Sequence, residues 1–90
     1  MNPGFYCYIL RCSDGTFYTG WCKDPQRRAK QHNAGRGARY TRTRLPVALV
    51  YVETQPDQAV AMHREKTIKR MTHRRKQQLI EQASSSTPLD

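Results

Sequence analysis

Two apolar runs, Phe5-Tyr-Cys-Tyr-Ile-Leu10 and Val47-Ala-Leu-Val-Tyr-Val52, constrain this chain more than any other feature. Both are rich in β-branched and aromatic side chains, so each reads as a strand. Outside them apolar residues are thin. Leu, Ile, Val and Phe number 14 of 90 residues, and the formal net charge is +9. Scattered along the chain, that mixture would suit disorder. Gathered into runs, and joined by five Tyr and one Trp, it can close a small core. The length sets one domain. The reading places it at residues 1–83, followed by a flexible tail, 84–90, that has nothing to bury.

The first run continues to Arg11, then Ser13-Asp14-Gly15-Thr16 signals a turn. Phe17-Tyr-Thr-Gly-Trp21 follows as a second strand, making a hairpin. Asp24 caps a helix that has Pro25 at its first position, runs to about Ala34 and ends at Gly35. Gly35 to Pro46 has no apolar period and reads as a loop. The Val47–Val52 run is nearly continuous, the pattern of a strand buried on both faces, which predicts a central position. Pro56-Asp57 opens a helix to about Met71, with Ala61, Ile68 and Met71 inward. Thr72 caps a last helix to about Ala83, anchored by Leu79 and Ile80. The expected fold is α+β: a small three-stranded mixed sheet packed with helices, in the order β-β-α-β-α-α.

Charge narrows the function. There are 16 Lys and Arg against 7 Asp and Glu, and no acid lies between Asp24 and Glu53. That stretch holds Arg27, Arg28, Lys30, Arg36, Arg39, Arg42 and Arg44. A second basic block runs from Arg64 to Lys76, with Glu65 its single acid. Two concentrated basic segments point to a polyanion, and the excess of Arg suits bidentate phosphate contacts. Runs of six apolar residues are too short to span a membrane. No secretory signal is visible. Cys7, Cys12 and Cys22 are odd in number and lack C-x-x-C spacing, which argues against a disulfide framework or a zinc site. The reading is a cytoplasmic protein with reduced thiols.

Few side chains stand out as chemistry. Glu65 reads either as the partner of Lys69 at i,i+4 or as a single carboxylate holding Mg²⁺, which keeps most of its waters. Tyr6, Tyr8 and Tyr18 are ordinary hairpin residues unless the Arg and Lys field lowers a phenol's pKa toward neutrality. His32, His63 and His73 read as surface residues. His32 alone is a candidate proton carrier, one helical turn past Arg28.

Taken in order, Tyr6-Cys7-Tyr8, Tyr18-Thr19-Gly20, Lys23-Asp24-Pro25-Gln26-Arg27-Arg28 and Arg64-Glu65 resemble the GIY-YIG nuclease superfamily. The likeness is greatest to its small stand-alone URI-domain (UPF0213-like) members and covers roughly residues 5 to 80. Each tripeptide is weak evidence alone; the ordered set is specific. The resemblance implies that Tyr8 is a general base or orients the attacking water, and that Tyr18 contacts the phosphate or nucleophile. It implies that Arg28 stabilises the phosphorane, that Lys23 is a basic group near the site, and that Glu65 binds the metal, Mg²⁺ or Mn²⁺. Tyr6 replaces the first Gly of the motif. The Asn that many relatives carry after the Glu is missing, its role vacant or filled by a residue such as Lys76.

The implied activity is metal-dependent hydrolysis of DNA phosphodiesters; the other class left open is a non-catalytic nucleic-acid-binding module that kept the fold. Arg27, Lys30, Arg36, Arg39, Tyr40, Arg42, Arg44, Lys69, Arg70 and Lys76 are the expected DNA contacts. A narrow basic surface carrying Tyr40 suits single-stranded or branched DNA, whose bases can stack on rings.

The shared phosphate tests the hairpin. A two-residue loop at Asp14-Gly15 would put Tyr8 and Tyr18 on opposite faces of the sheet. A three-residue loop, Ser13-Asp14-Gly15, pairs Tyr18 with Leu10 and Gly20 with Tyr8, so both rings share a face. Such a loop wants its last residue left-handed, and the expectation is a positive φ at Gly15.

Overall fold

The computed structural model describes residues 4–85. Strand β1 (Phe5–Arg11) turns back into β2 (Phe17–Cys22) through Ser13-Asp14-Gly15. The Cys12 amide donates to Thr16 O at 2.8 Å, and Gly15 has φ 85°. Asp14 accepts from the Thr16 amide at 3.0 Å and from its hydroxyl at 2.6 Å. Leu10 faces Tyr18 and Tyr8 faces Gly20, the register of the three-residue loop.

Helix α1 (Pro25–Asn33) follows, capped by the Asp24 carboxylate on the Arg27 amide and ended by Gly35 at φ 79°. The Gly35–Pro46 segment is not wholly a loop: Arg39–Arg42 forms a single helical turn, α2. Strand β3 (Ala48–Gln55), α3 (Gln58–Lys69) and α4 (His73–Ser85) complete the order. Asp57 caps α3 on the Val60 amide, and the Thr72 hydroxyl accepts from the Arg75 amide at the start of α4. The expected tail falls on 84–90; residues 84 and 85 finish α4, and 86–90 lie outside the described residues.

The sheet order is β2-β1-β3, which corrects two expectations. The Val47–Val52 run is not central; β3 is an edge strand with Val52 40% exposed. Strand β1 takes the middle, and its Cys7, Tyr8, Ile9 and Leu10 are consecutively buried. Tyr and Cys disguised it, because their burial depends on what covers them. Nor is the sheet mixed: β1 pairs antiparallel with both neighbours. The crossover through α1 and α2 makes β2 and β3 parallel to each other, but they lie on opposite edges and never pair. A bulge where Ile9 faces Tyr51 and Leu10 faces Leu49 turns Val50 and Tyr51 to the same face.

Each face of β1 carries its own small core. Cys7, Ile9 and Phe17 pack against Ala61, Ile68 and Ile80 of α3 and α4. Tyr8, Leu10, Cys12 and Val47 pack with Ala29 of α1 and with Leu45. Two polar clamps fix the helices. Asn33 donates to Val47 O at 2.9 Å and accepts from its amide at 2.7 Å, tying the end of α1 to the start of β3. The Glu53 carboxylate takes Arg64 at 2.7 and 3.0 Å, Tyr51 at 2.5 Å and Gln55 at 2.7 Å, tying α3 to β3.

Candidate active site

Tyr8 and Tyr18 stand on the α1 face with ring centres 6.5 Å apart. That closeness follows from the hairpin register, since Tyr18 is two pairs along from Gly20 and so on the same face. Gly20 makes the arrangement possible. A Cβ there would lie 2.6 Å from the Tyr8 hydroxyl and 2.7 Å from Cζ, so the tyrosine ring lies across a bare stretch of β2.

His32 completes the cluster from α1. It is 0% exposed, not a surface residue as its sequence setting suggested. Its Nε2 is 3.1 Å from the Tyr8 hydroxyl, and its Nδ1 is 2.8 Å from Thr41 Oγ1. Its ring centre lies 5.3 Å from that of Tyr18. Gly37 keeps the space beside it: a Cβ at that position would collide with Nδ1. Arg28, one turn earlier, donates to Gln31 at 3.0 Å and acts on both ring groups. Burial pushes the Tyr8 phenol up to about 12, with the Arg28 guanidinium pulling the other way. Burial, helped by Arg28, pushes the His32 imidazole down to about 4. An acidic phenol, the alternative that the basic sequence left open, is therefore not what this site holds at rest. Desolvation, which penalises the charged form, outweighs the basic field. At neutral pH the pair is a neutral phenol hydrogen-bonded to a neutral imidazole.

Glu65 comes from the opposite layer. It lies on the same side of α3 as Ala61 and Ile68, with its side chain 17% exposed. Lys69 is 3.4 Å from its carboxylate and also 5.8 Å from the centre of the Tyr18 ring, reached past the β2 edge. The i,i+4 pair is thus present, and its lysine end lies near Tyr18. No group of three or more His, Cys, Asp or Glu that could hold a metal occurs among the described residues. One partly exposed carboxylate fits a hard ion that keeps its waters, and does not fit zinc.

The other expected residues divide. Arg27, Lys30, Arg36, Arg39, Arg42, Lys69 and Arg70 are exposed. Arg44 is tied down, donating to Asp14 at 3.0 Å and to Tyr40 O at 2.8 Å. Its guanidinium lies 3.9 Å over the Tyr40 ring, and the Tyr18 ring stacks nearby with its centre 6.1 Å from that of Tyr40. Tyr40 is 38% exposed, with Arg44 covering part of its ring. Lys76 is 9% exposed, and burial with Lys69 nearby lowers its pKa. Lys23 is exposed and leans over Phe5 at 5.4 Å. It lines a cleft with Tyr6, Pro25 and Val52, beside the Tyr8–His32 pair rather than over it.

Sequence reasoning missed Gly37 and Thr41. Gly35-Arg36-Gly37 is a visible Gly pair, but only Gly35 needs a left-handed backbone; Gly37 is needed for room. Nothing in Tyr40-Thr41-Arg42-Thr43 separates the buried Thr41 from the exposed Thr43.

Residues 4–78 match the family model described as the GIY-YIG catalytic domain. A UPF0213 protein of Haloquadratum walsbyi is 48% identical over 84 residues, 93% of this chain and 94% of that one. A UPF0213 protein of Streptococcus sanguinis is 44% identical, covering 96% and 99%. The solution NMR structure of a UPF0213 protein from Bacillus halodurans has a TM-score of 0.55 at 44% identity, covering 86% of this chain and 82% of that one. An E. faecalis NMR structure gives 0.63 at 32% identity, covering 99% and 95%. Among the described residues, no helix is long and apolar enough to cross a membrane.

Proposed function

The chain belongs to the GIY-YIG family, and on that premise we propose that it is a metal-dependent DNA endonuclease, with single-stranded or branched DNA its preferred substrate. The observation that carries the proposal is the buried Tyr8 hydroxyl, 3.1 Å from His32 Nε2 and under the influence of Arg28. A module that only binds nucleic acid needs exposed cations; it does not need a phenol and an imidazole held against each other in the core. In hydrolysis a water oxygen attacks phosphorus and the bond to the 3′ oxygen breaks. Tyr8 takes the water proton as its own proton passes to His32, whose neutral form is free to accept it. Tyr18 orients the water or the phosphate. Arg28 stabilises the charge that grows on the phosphoryl oxygens. Mg²⁺ or Mn²⁺, when bound at Glu65, supplies a Lewis acid for the leaving oxygen. Arg36, Arg39 and Arg42 flank this face and hold the strand through its phosphates. The preference for strands that are not plain duplex rests on size: principal extents of 37 × 28 × 27 Å give little surface for wrapping a double helix.

End-labelled single-stranded, duplex and branched DNA, incubated with Mg²⁺, Mn²⁺ or chelator, tests the reading. Glu65→Gln abolishes cleavage while DNA affinity persists or rises, because one negative charge has been removed from a phosphate-binding face. Wild-type cutting by Glu65→Gln would leave Glu65 as no more than the partner of Lys69. Binding without cleavage under every condition would establish the non-catalytic module instead.

A further inference from the structure

We infer that Thr41 fixes the tautomer of His32, placing the imidazole proton on Nδ1 and leaving a bare lone pair on Nε2 aimed at Tyr8. A neutral imidazole carries one proton on one of its two nitrogens, and the bond made by one nitrogen decides the state of the other. Here three contacts form a chain. Thr41 Oγ1 is 2.9 Å from Ala38 O, which can only accept, so this bond uses the single hydroxyl hydrogen of Thr41. Oγ1 then has only lone pairs to offer His32 Nδ1 at 2.8 Å, and the proton between them must belong to the ring. Nε2 is left as acceptor, and Tyr8 donates to it across 3.1 Å.

The opposite tautomer breaks this chain twice. Thr41 would have to abandon Ala38 O to avoid setting two lone pairs against each other. The Tyr8 hydroxyl hydrogen would lose its acceptor on a side chain that is 2% exposed. One contact favours that alternative, the Ala38 amide at 3.4 Å from Nδ1. It is the longest of the four, well beyond the 2.8 Å contact with Thr41 that competes for the same nitrogen. Thr41 is itself fully buried and held by backbone bonds, its amide on Ala38 O at 3.1 Å and its carbonyl taking the Arg44 amide at 2.9 Å. Gly37, lacking a Cβ, lets this loop settle against the ring.

Thr41 is therefore a positioning residue. It touches neither water nor phosphate in the proposed reaction, which is the reading this inference builds on. When Tyr8 passes its proton on, its O–H bond breaks, an N–H bond forms at Nε2, and the electron pair freed on the phenolic oxygen takes the water proton. The imidazolium keeps its Nδ1–H on Thr41.

Side-chain ¹H–¹⁵N correlation spectra of the labelled full chain read the tautomer directly, with or without activity. The expected result is a pyrrole-type Nδ1 and a pyridine-type Nε2 in the wild type. Thr41→Val should give the reversed or a mixed pattern, and Thr41→Ser the wild-type one. In the cleavage assay Thr41→Val should lose about 10–100-fold in kcat with little change in KM, the scale on which a partner of a functional histidine acts, and Thr41→Ser should regain it. A wild-type spectrum with the proton on Nε2 overturns the inference, as does an unchanged tautomer in folded Thr41→Val. If Thr41→Val fails to fold, the wild-type spectrum alone decides. A chain that cuts nothing refutes the nuclease reading and leaves the tautomer measurement to stand or fall by itself.

Discussion

Gly20→Ala separates the role of bare backbone from that of side chains. A Cβ at this position meets the Tyr8 hydroxyl at 2.6 Å, Cζ at 2.7 Å and Cε2 at 3.0 Å. These are ring atoms, not the free end of a flexible chain, and the ring is closed in by Tyr18 and His32. Overpacking of this kind costs about 1–3 kcal/mol. Against it stands a gain of about 0.5–1 kcal/mol for replacing Gly by Ala within a strand. The rigidity of the ring places the clash in the upper part of its range, so the net loss is about 1–2 kcal/mol. For a domain of this size that lowers Tm by roughly 4–16 °C. Catalysis should suffer more, because the hydroxyl that moves is the one bonded to His32, and a misplacement of about 1 Å can cost about 100-fold. Thermal unfolding and single-turnover cleavage measure both. Tyr8→Phe removes the nearest atom but leaves Cζ in place, so the double variant should recover part of the stability, with a coupling of about 0.5 kcal/mol or more. Gly20→Ala with wild-type stability and wild-type rate would refute the argument that Tyr8 depends on that empty space.

Other expectations follow from single residues. Thr19 Oγ1 is buried with no hydrogen-bond partner among the described residues, so Thr19→Val should raise the urea midpoint by the equivalent of about 1 kcal/mol; a clear loss would mean that a bound water serves the hydroxyl. Burial raises the Glu53 pKa, but the bonds from Arg64, Tyr51 and Gln55 overrule it and leave it below 4.5. A depressed carboxylate stabilises the fold above its unfolded pKa and loses that contribution as pH falls through the folded one. Glu53→Gln should therefore be less stable than wild type at pH 7, with the gap closing below about pH 4.5; a gap constant with pH would assign the loss to packing. Arg39→Ala and Arg42→Ala should each reduce the log–log salt slope of DNA binding by roughly 0.7–0.9. Arg28→Ala should instead lower the cleavage rate by about 100-fold or more, and equal losses of rate and affinity in all three would dissolve that division.

The helices were legible because their ends are chemical events that sequence displays. Asp24 before Pro25, Asp57 before α3 and Thr72 before α4 each satisfy an amide that the helix cannot. The hairpin was legible for a different reason. Two tyrosines required on one face left one loop length, and Gly15 was the residue able to close it. Strand order was not legible from hydrophobicity. Val47–Val52 is the more aliphatic run, yet burial is set by the number of covered faces, and that depends on where a 25-residue crossover lands (Lys23 to Val47). Its landing is fixed by contacts such as Asn33 with Val47, a pair that no local pattern announces.

The site divides along the same line. Tyr8, Tyr18, Arg28 and Glu65 could be named as candidates because their ordered set resembles the GIY-YIG motifs. Their supports could not, because each is defined by what it lacks or by a bond made far away in sequence. Gly20 and Gly37 matter as absent Cβ atoms, and only the rings they accommodate reveal it. His32 has the composition of a surface residue and the environment of a core one, since a polar ring can be buried if both nitrogens find partners. Those partners come from β1 and from the turn α2, 24 residues before it and 9 after. The resting protonation state was also misjudged, and instructively. Most of the basic residues that surround the cluster in sequence lie exposed, where water screens their charge, while Arg28 bears on it directly. The phenol feels the loss of water first and the neighbouring Arg28 guanidinium second, so its pKa rises. A proton acceptor beside Tyr8 is then a requirement of the burial itself. That makes His32, and the hydroxyl of Thr41 that orients it, part of the same device as the tyrosine motif.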